Sequence, residues 1–151
     1  MKRQIRKNVF ETNSSSVHSL AISRDGLEPS KLIKNKDNKI VTDFGEFGKD
    51  LCYYKSQEEK LSYLITCLAY MSNNFGNVEG VYNNYLFDIL DAAICEYTGA
   101  SGIEILGYAD PDIDHQSVPY DSSDVVINLW DKDEIVNFVF NKYISLKTDC
   151  D

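Results

Sequence analysis

The stretch SQEEKLSYLITCLAYM (56–71) constrains the fold more than any other part of the chain. Ser56 and Glu59 stand three apart, the spacing of a capping box, in which each side chain satisfies a backbone N–H at the start of a helix. Leu61, Leu64, Ile65, Leu68 and Met71 then recur at helical spacing and form an apolar stripe. NNFGN (73–77) ends that helix. Tyr82, Tyr85, Leu86, Ile89, Ala93 and Tyr97 lay out a second stripe, closed by Gly99 and Gly102. So short a connection predicts an antiparallel helical pair, with both stripes turned into the core.

Strand-like segments bracket this pair. Residues 3–10 and 17–23, joined by the polar ETNSSS, predict a hairpin or paired strands. Residues 24–38, with Gly26, Pro29 and many charges, read as loop. KIVTDF (39–44) is a short strand broken by the glycines of GEFGKD, and GIEILGY (102–108) is another strand. DKDEIVNFVFNKY (131–143) opens as a third helix with acids in its first turn, and YISLKT (143–148) closes the chain as a strand. The expectation is an α+β fold: a small mixed or antiparallel sheet that uses both chain ends, packed against an antiparallel helical pair. At 151 residues the chain fits a single domain, 1–151, long enough to bury a core without staples.

Hydrophobic residues make up 43% and charged residues 26%, ordinary globular usage that argues against wholesale disorder. No stretch approaches the roughly 20 apolar residues that span a bilayer, and the basic start MKRQIRK leads into polar residues, so neither a membrane nor a secretory signal is expected. Cys52, Cys67, Cys95 and Cys150 show no CxxC pair and no zinc spacing; Cys67 and Cys95 fall in helical patterns as core thiols. These features suit a reducing cytoplasm. The net charge of −9 is unevenly spread: residues 1–40 hold nine basic and four acidic side chains, residues 41–151 six and twenty. Phosphate repulsion excludes direct DNA binding by such an acidic body. The body is suited instead to a host protein that itself binds nucleic acid, since its carboxylates can stand where phosphates are expected.

Two polar segments hold the candidate chemistry. In VFETNSSSVHSLAIS (9–23), Asn13, Ser14, Ser15 and Ser19 offer donors to phosphate oxygens, with Arg6 nearby to meet an anion. Ser16 and His18 are two apart and share a face of a strand, where a nucleophile and a base can be assembled, with Glu11 as the orienting carboxylate. The same residues also serve Asx- and Ser-turns. In DPDIDHQSVPYD (110–121), Asp110, Asp112, Asp114 and Asp121 match positions 1, 3, 5 and 12 of a calcium-binding loop. His115 stands where that loop needs glycine, and position 12 is Asp in place of Glu. Asp114 and His115 with His18 would make a two-histidine, one-carboxylate metal site were the segments to meet. A solvated acidic loop, or a non-metal role for His115 as general base, are the other readings. No cofactor is named by any motif.

The segment RKNVFETNSSSVHSL (6–20) resembles the opening of a group of small bacteriophage, prophage and Firmicute proteins without an assigned activity. The likeness extends to IDHQS (113–117) and VFNKYISLKTD (139–149); where the group carries an asparagine in its acidic tail, this chain has Cys150. The resemblance implies an origin in mobile DNA, hence the cytoplasm of an infected or lysogenic bacterium. It also implies a site built from separated polar segments, at Glu11, Asn13, Ser14, Ser15, Ser16, His18, Ser19, Asp114, His115, Gln116, Ser117 and Asn141. Two functions are therefore expected. The first is a phage-type accessory protein that binds, and most plausibly inhibits, a host defence or nucleic-acid-handling protein through its acidic surface. The alternative is a small enzyme or a protein binding a phosphate-bearing ligand, with His18 or His115 as base.

Overall fold

The computed structural model describes residues 9–11, 25–48, 52–72, 77–113 and 127–148, the backbone alone at 9–11 and 148. Both halves of the capping box form at the start of α1 (Gln57–Met71): the Ser56 hydroxyl accepts from Glu59 N at 3.1 Å, and the Glu59 carboxylate accepts from Ser56 N at 3.3 Å. The helix is not one-sided, however. From Lys60 to Ala69 every residue except Ser62 is buried, so α1 runs through the interior with neighbours nearly all round.

The expected second helix is two. α2 (Val78–Tyr82) is capped by Asn77, whose side chain accepts from Glu79 N at 2.8 Å. α3 (Tyr85–Thr98) is capped afresh by Asn84, which accepts from Leu86 N at 3.0 Å. An Asn side chain that bonds the amide two residues on starts a helix better than it continues one. Gly99 ends α3 in the left-handed region, φ 76°, where glycine carries no Cβ penalty. α4 (Lys132–Phe140) begins at Asp131, whose Oδ1 accepts from Asp133 N at 2.9 Å and Glu134 N at 3.3 Å. α4 lies against α3 and α1 more extensively than those two touch each other, so the helical layer rests on three helices where a pair was expected.

Both chain ends do share a sheet. β1 (Val9–Glu11) runs parallel to β7 (Ser145–Thr148), with Val9 opposite Ser145 and Glu11 opposite Lys147. On its other side β7 pairs antiparallel with β4 (Cys52–Tyr54), giving a mixed sheet of order β1-β7-β4. The remaining strands form two further parallel ladders: β2 (Lys39–Thr42) with β5 (Gly102–Ile105), and β3 (Glu46–Phe47) with β6 (Asp112–Ile113). Parallel strands need a crossover, and the chain between β2 and β5 supplies it by passing through α1, α2 and α3. The arrangement is α+β as expected, with three small sheets among the described residues in place of one. The second strand expected at 17–23 lies outside the described residues.

The core forms where these layers meet. Ile40 on β2, Ile103 on β5, Leu64 and Leu68 on α1, Leu90 and Ile94 on α3, and Ile135 and Phe138 on α4 are at most 5% exposed. Aromatic contacts carry the packing across it, Phe47 edge-on to Tyr63 at 5.3 Å and Tyr63 tilted against Phe138 at 6.2 Å between ring centroids. Cys67 is fully buried, and desolvation pushes its thiol far up; the half-buried Cys95 rises to about 11, by desolvation first and then by the Asp91 carboxylate. Both thiols stay protonated at neutral pH.

Two polar struts complete the frame. Lys60 is 1% exposed, and its Nζ donates to the carbonyl oxygens of Asn141 at 3.1 Å and Ile144 at 3.0 Å. It thereby satisfies backbone acceptors just past the end of α4 that have no helical partner. Burial draws its pKa down to about 8, against the upward pull of the Glu28 carboxylate. Asp43, just after β2, clamps the loop that follows β5: Oδ1 accepts from Gly107 N at 2.9 Å, and Oδ2 from Tyr108 N at 3.0 Å and Ala109 N at 3.2 Å.

Candidate functional site

Of the residues singled out in the sequence, Arg6, Asn13, Ser14, Ser15, Ser16, His18, Ser19, Asp114, His115, Gln116 and Ser117 lie outside the described residues. Glu11 ends β1 beside Lys147. The ETNSSSVHS segment therefore departs from β1, and the DHQS segment departs from β6, whose Ile113 pairs with Phe47. In the acidic loop Asp110 is exposed and Asp112 half-buried, the latter donating its N–H to Gly45 O at 3.1 Å. Among the described residues no group of three His, Cys, Asp or Glu side chains could hold a metal ion.

Asn141 is placed in full. It is 0% exposed at the C-cap of α4, and its side chain closes the turn there: Nδ2 donates to Asn137 Oδ1 at 3.0 Å, and Oδ1 accepts from Tyr143 N at 3.0 Å. Both ends of this amide thus hold the path from α4 into β7.

The described surface carries a different feature, at the adjoining starts of α3 and α4. Tyr85, the first residue of α3, and Trp130, just before the α4 cap, face each other with ring centroids 4.9 Å apart and planes tilted by 49°. Tyr85 is 56% exposed and Trp130 62%. The turn before α4 sets the tryptophan there. Asn128 Oδ1 accepts from Trp130 N at 3.0 Å, and Asn128 N donates to Glu134 Oε1 at 2.9 Å, tying the turn to the first helical residues. Burial raises the pKa of the Glu134 carboxyl, while its bond from Asn128 opposes the rise and Asp131 adds to it.

This corrects the expectation that Tyr85 belongs to a core stripe: its ring lies half in solvent. The 3.6-residue period runs unbroken through Tyr82, Tyr85 and Leu86, but the Asn83–Asn84 pair restarts the helix and turns Tyr85 outward. The double asparagine was the available signal. Trp130 carried no signal of its own, because its exposure comes from the Asn128 turn.

The chain on either side of Tyr85 is rich in carboxylates, several of them exposed. Between Lys60 and Lys132 the chain holds no lysine or arginine and eleven aspartates and glutamates. Glu79, Asp88, Glu96, Glu104 and Asp110 are exposed, and Asp88 follows Tyr85 by one helical turn. Lys132, the first base after this stretch, is engaged by Glu96 at 2.9 Å.

The chain is thus an α+β protein with a carboxylate-rich surface and an exposed aromatic pair. Comparison with known proteins finds no matching family model, no matching curated protein and no matching solved structure. Among the described residues no helix is long and apolar enough to cross a membrane.

Proposed function

We propose that this chain is an accessory protein of phage or prophage type that acts by binding. Its partner is a host protein whose basic surface handles nucleic acid, and occupation of that surface inhibits it. The observation that carries the reading is the Tyr85–Trp130 pair, more than half exposed, inside a stretch of chain with eleven carboxylates and no lysine or arginine. Exposed tyrosine and tryptophan are the side chains that most often anchor interfaces, and their faces attract arginine guanidinium groups. Carboxylates around them supply the field that steers a basic partner and pair with its cations once docked. The resemblance of the opening segment to phage and prophage proteins supports a host-directed role.

The test is competition for DNA. Host proteins retained on immobilised duplex DNA at about 0.05 M salt are challenged with the chain, and released proteins are identified. A discrete protein should leave the DNA and elute in complex with the chain, and the complex should dissociate as salt rises towards about 0.5 M. The double substitution Tyr85→Ala, Trp130→Ala should weaken release by roughly thirtyfold or more, the loss expected for a pair of interface anchors. Release of nothing, or an association indifferent to salt, would overturn the reading.

A further inference from the structure

The chain gathers four of its twelve lysines round one cavity of about 400 Å³. Lys31, Lys55, Lys60 and Lys142 line it, contributed by the loop before β2, the residue ahead of the α1 cap, the first turn of α1 and the turn after α4. Two carboxylates, Glu28 and Glu58, line it as well. Four cations in a molecule of net charge −9 are not a solvated average; they are a local inversion of the field.

The carboxylates do not cancel it. Glu28 bonds Lys31 at 2.8 Å, and its pKa is lowered first by that bond and then by the charges of Lys31, Lys142 and Lys60, against a rise from desolvation. It remains ionised and serves as counter-ion to several cations at once, leaving positive charge in surplus. Lys60 forms part of the wall with two of its three N–H donors on the carbonyls of Asn141 and Ile144; the third has no acceptor among the described residues. Desolvation destabilises its charged form, and an anion in the cavity would relieve that cost.

We propose that this cavity binds a small phosphomonoester, its phosphate set among Lys55, Lys60 and Lys142 with Lys31 at the margin. Lysine meets phosphate as a point charge that needs no planar geometry, which suits one fixed and three exposed lysines contributed by separate elements. The volume lies at the lower end of ligand pockets, enough for a phosphate with a sugar-sized body. Neither Tyr85 nor Trp130 lines the cavity, so the proposal stands whether or not a protein partner is found.

The test is calorimetric titration of the whole chain at about 0.05 M salt with four probes: inorganic phosphate, ribose 5-phosphate, adenosine 5′-monophosphate and unphosphorylated ribose. The phosphorylated sugars should bind, inorganic phosphate more weakly, and ribose not at all. The double variant Lys55→Gln, Lys142→Gln removes exposed charges without touching the buried strut, and should lose at least tenfold in affinity. The control Lys36→Gln, Lys39→Gln removes two lysines outside the cavity and should bind as the parent does. No heat with any phosphate-bearing probe at millimolar concentration would overturn the proposal. So would equal loss in both double variants, since that would mean attraction to net charge alone.

Discussion

The ammonium group of Lys60 lies 3.1 Å from the carbonyl oxygen of Asn141, eighty-one residues on, so the first turn of α1 is bolted to the chain end of α4 by a buried charge. That bond joins the central helix to the turn leading into β7, on which the mixed sheet depends. Lys60→Met keeps the length of the apolar stem and removes the donors. It should lower unfolding free energy by about 1–3 kcal/mol, because the Ile144 carbonyl loses the ammonium and the Asn141 carbonyl keeps only the Ile144 N–H. Urea denaturation at pH 7 measures it; a loss within about 0.5 kcal/mol would mean that water replaces the ammonium.

The same lysine predicts a pH dependence. Its folded pKa, about 8, lies below the ordinary value of 10.5. Between those values the unfolded chain binds a proton that the folded chain does not, so this group makes stability rise with pH across that window. The stability gap between the parent and Lys60→Met should therefore widen from pH 8 to pH 10.5, by on the order of 2 kcal/mol. A gap that stays flat or narrows would show that Lys60 holds its proton in the folded state.

Ser56→Ala removes the hydroxyl that accepts from Glu59 N. The reciprocal bond from Ser56 N to the Glu59 carboxylate survives, so the expected loss is moderate, about 1 kcal/mol by thermal or urea unfolding. Ser56→Asp, which restores an acceptor at the cap, should recover most of it.

Asp43→Ala deletes the acceptor of three backbone amides in the loop after β5, at Gly107, Tyr108 and Ala109, and of the neighbouring Phe44 N–H. Amide exchange at those three positions should accelerate well beyond that of β5 itself, with a global loss of about 1–3 kcal/mol. Unchanged exchange there would show that the loop holds its shape without the clamp.

Gly26→Ala tests the close approach between the first loop and the turn after α4. Gly26 has φ 99°, and a Cβ there would come within 2.5 Å of Tyr143 Cδ2 and 2.6 Å of Asn141 Oδ1. Strained backbone and displacement of a buried amide together should cost about 2–3 kcal/mol, seen as a fall in Tm of several degrees.

What the sequence disclosed was what its own neighbours determine. The Ser56–Glu59 box, the acid-rich start of α4 and the Gly99 stop are each decided within a few residues, and each stands where the spacing put it. The parallel pairing of β1 with β7 and of β2 with β5 is decided by packing across long separations, for which no local pattern exists. Lys60 shows the same limit at one residue. It sits four positions before Leu64 and eight before Leu68, on the buried face of the stripe, yet a lysine at a helix start reads as solvated until its acceptors on a distant turn are known. Of the candidate site residues, Asn141 has side-chain bonds to Asn137 and Tyr143, and these hold the end of its own helix.

The parallel pairing of β1 with β7 also sets an order of events on the ribosome. Val9 is made more than a hundred residues before its partner Ser145, so β1 must wait through the synthesis of all that lies between before its ladder can close. The helices of the interior can be translated and collapse in that interval, while the strand at the start stays available to other partners. Slowing elongation between the two strands would lengthen that wait. The nascent chain's exposure to chaperones is thus governed by the intervening codons as much as by those of β1 itself.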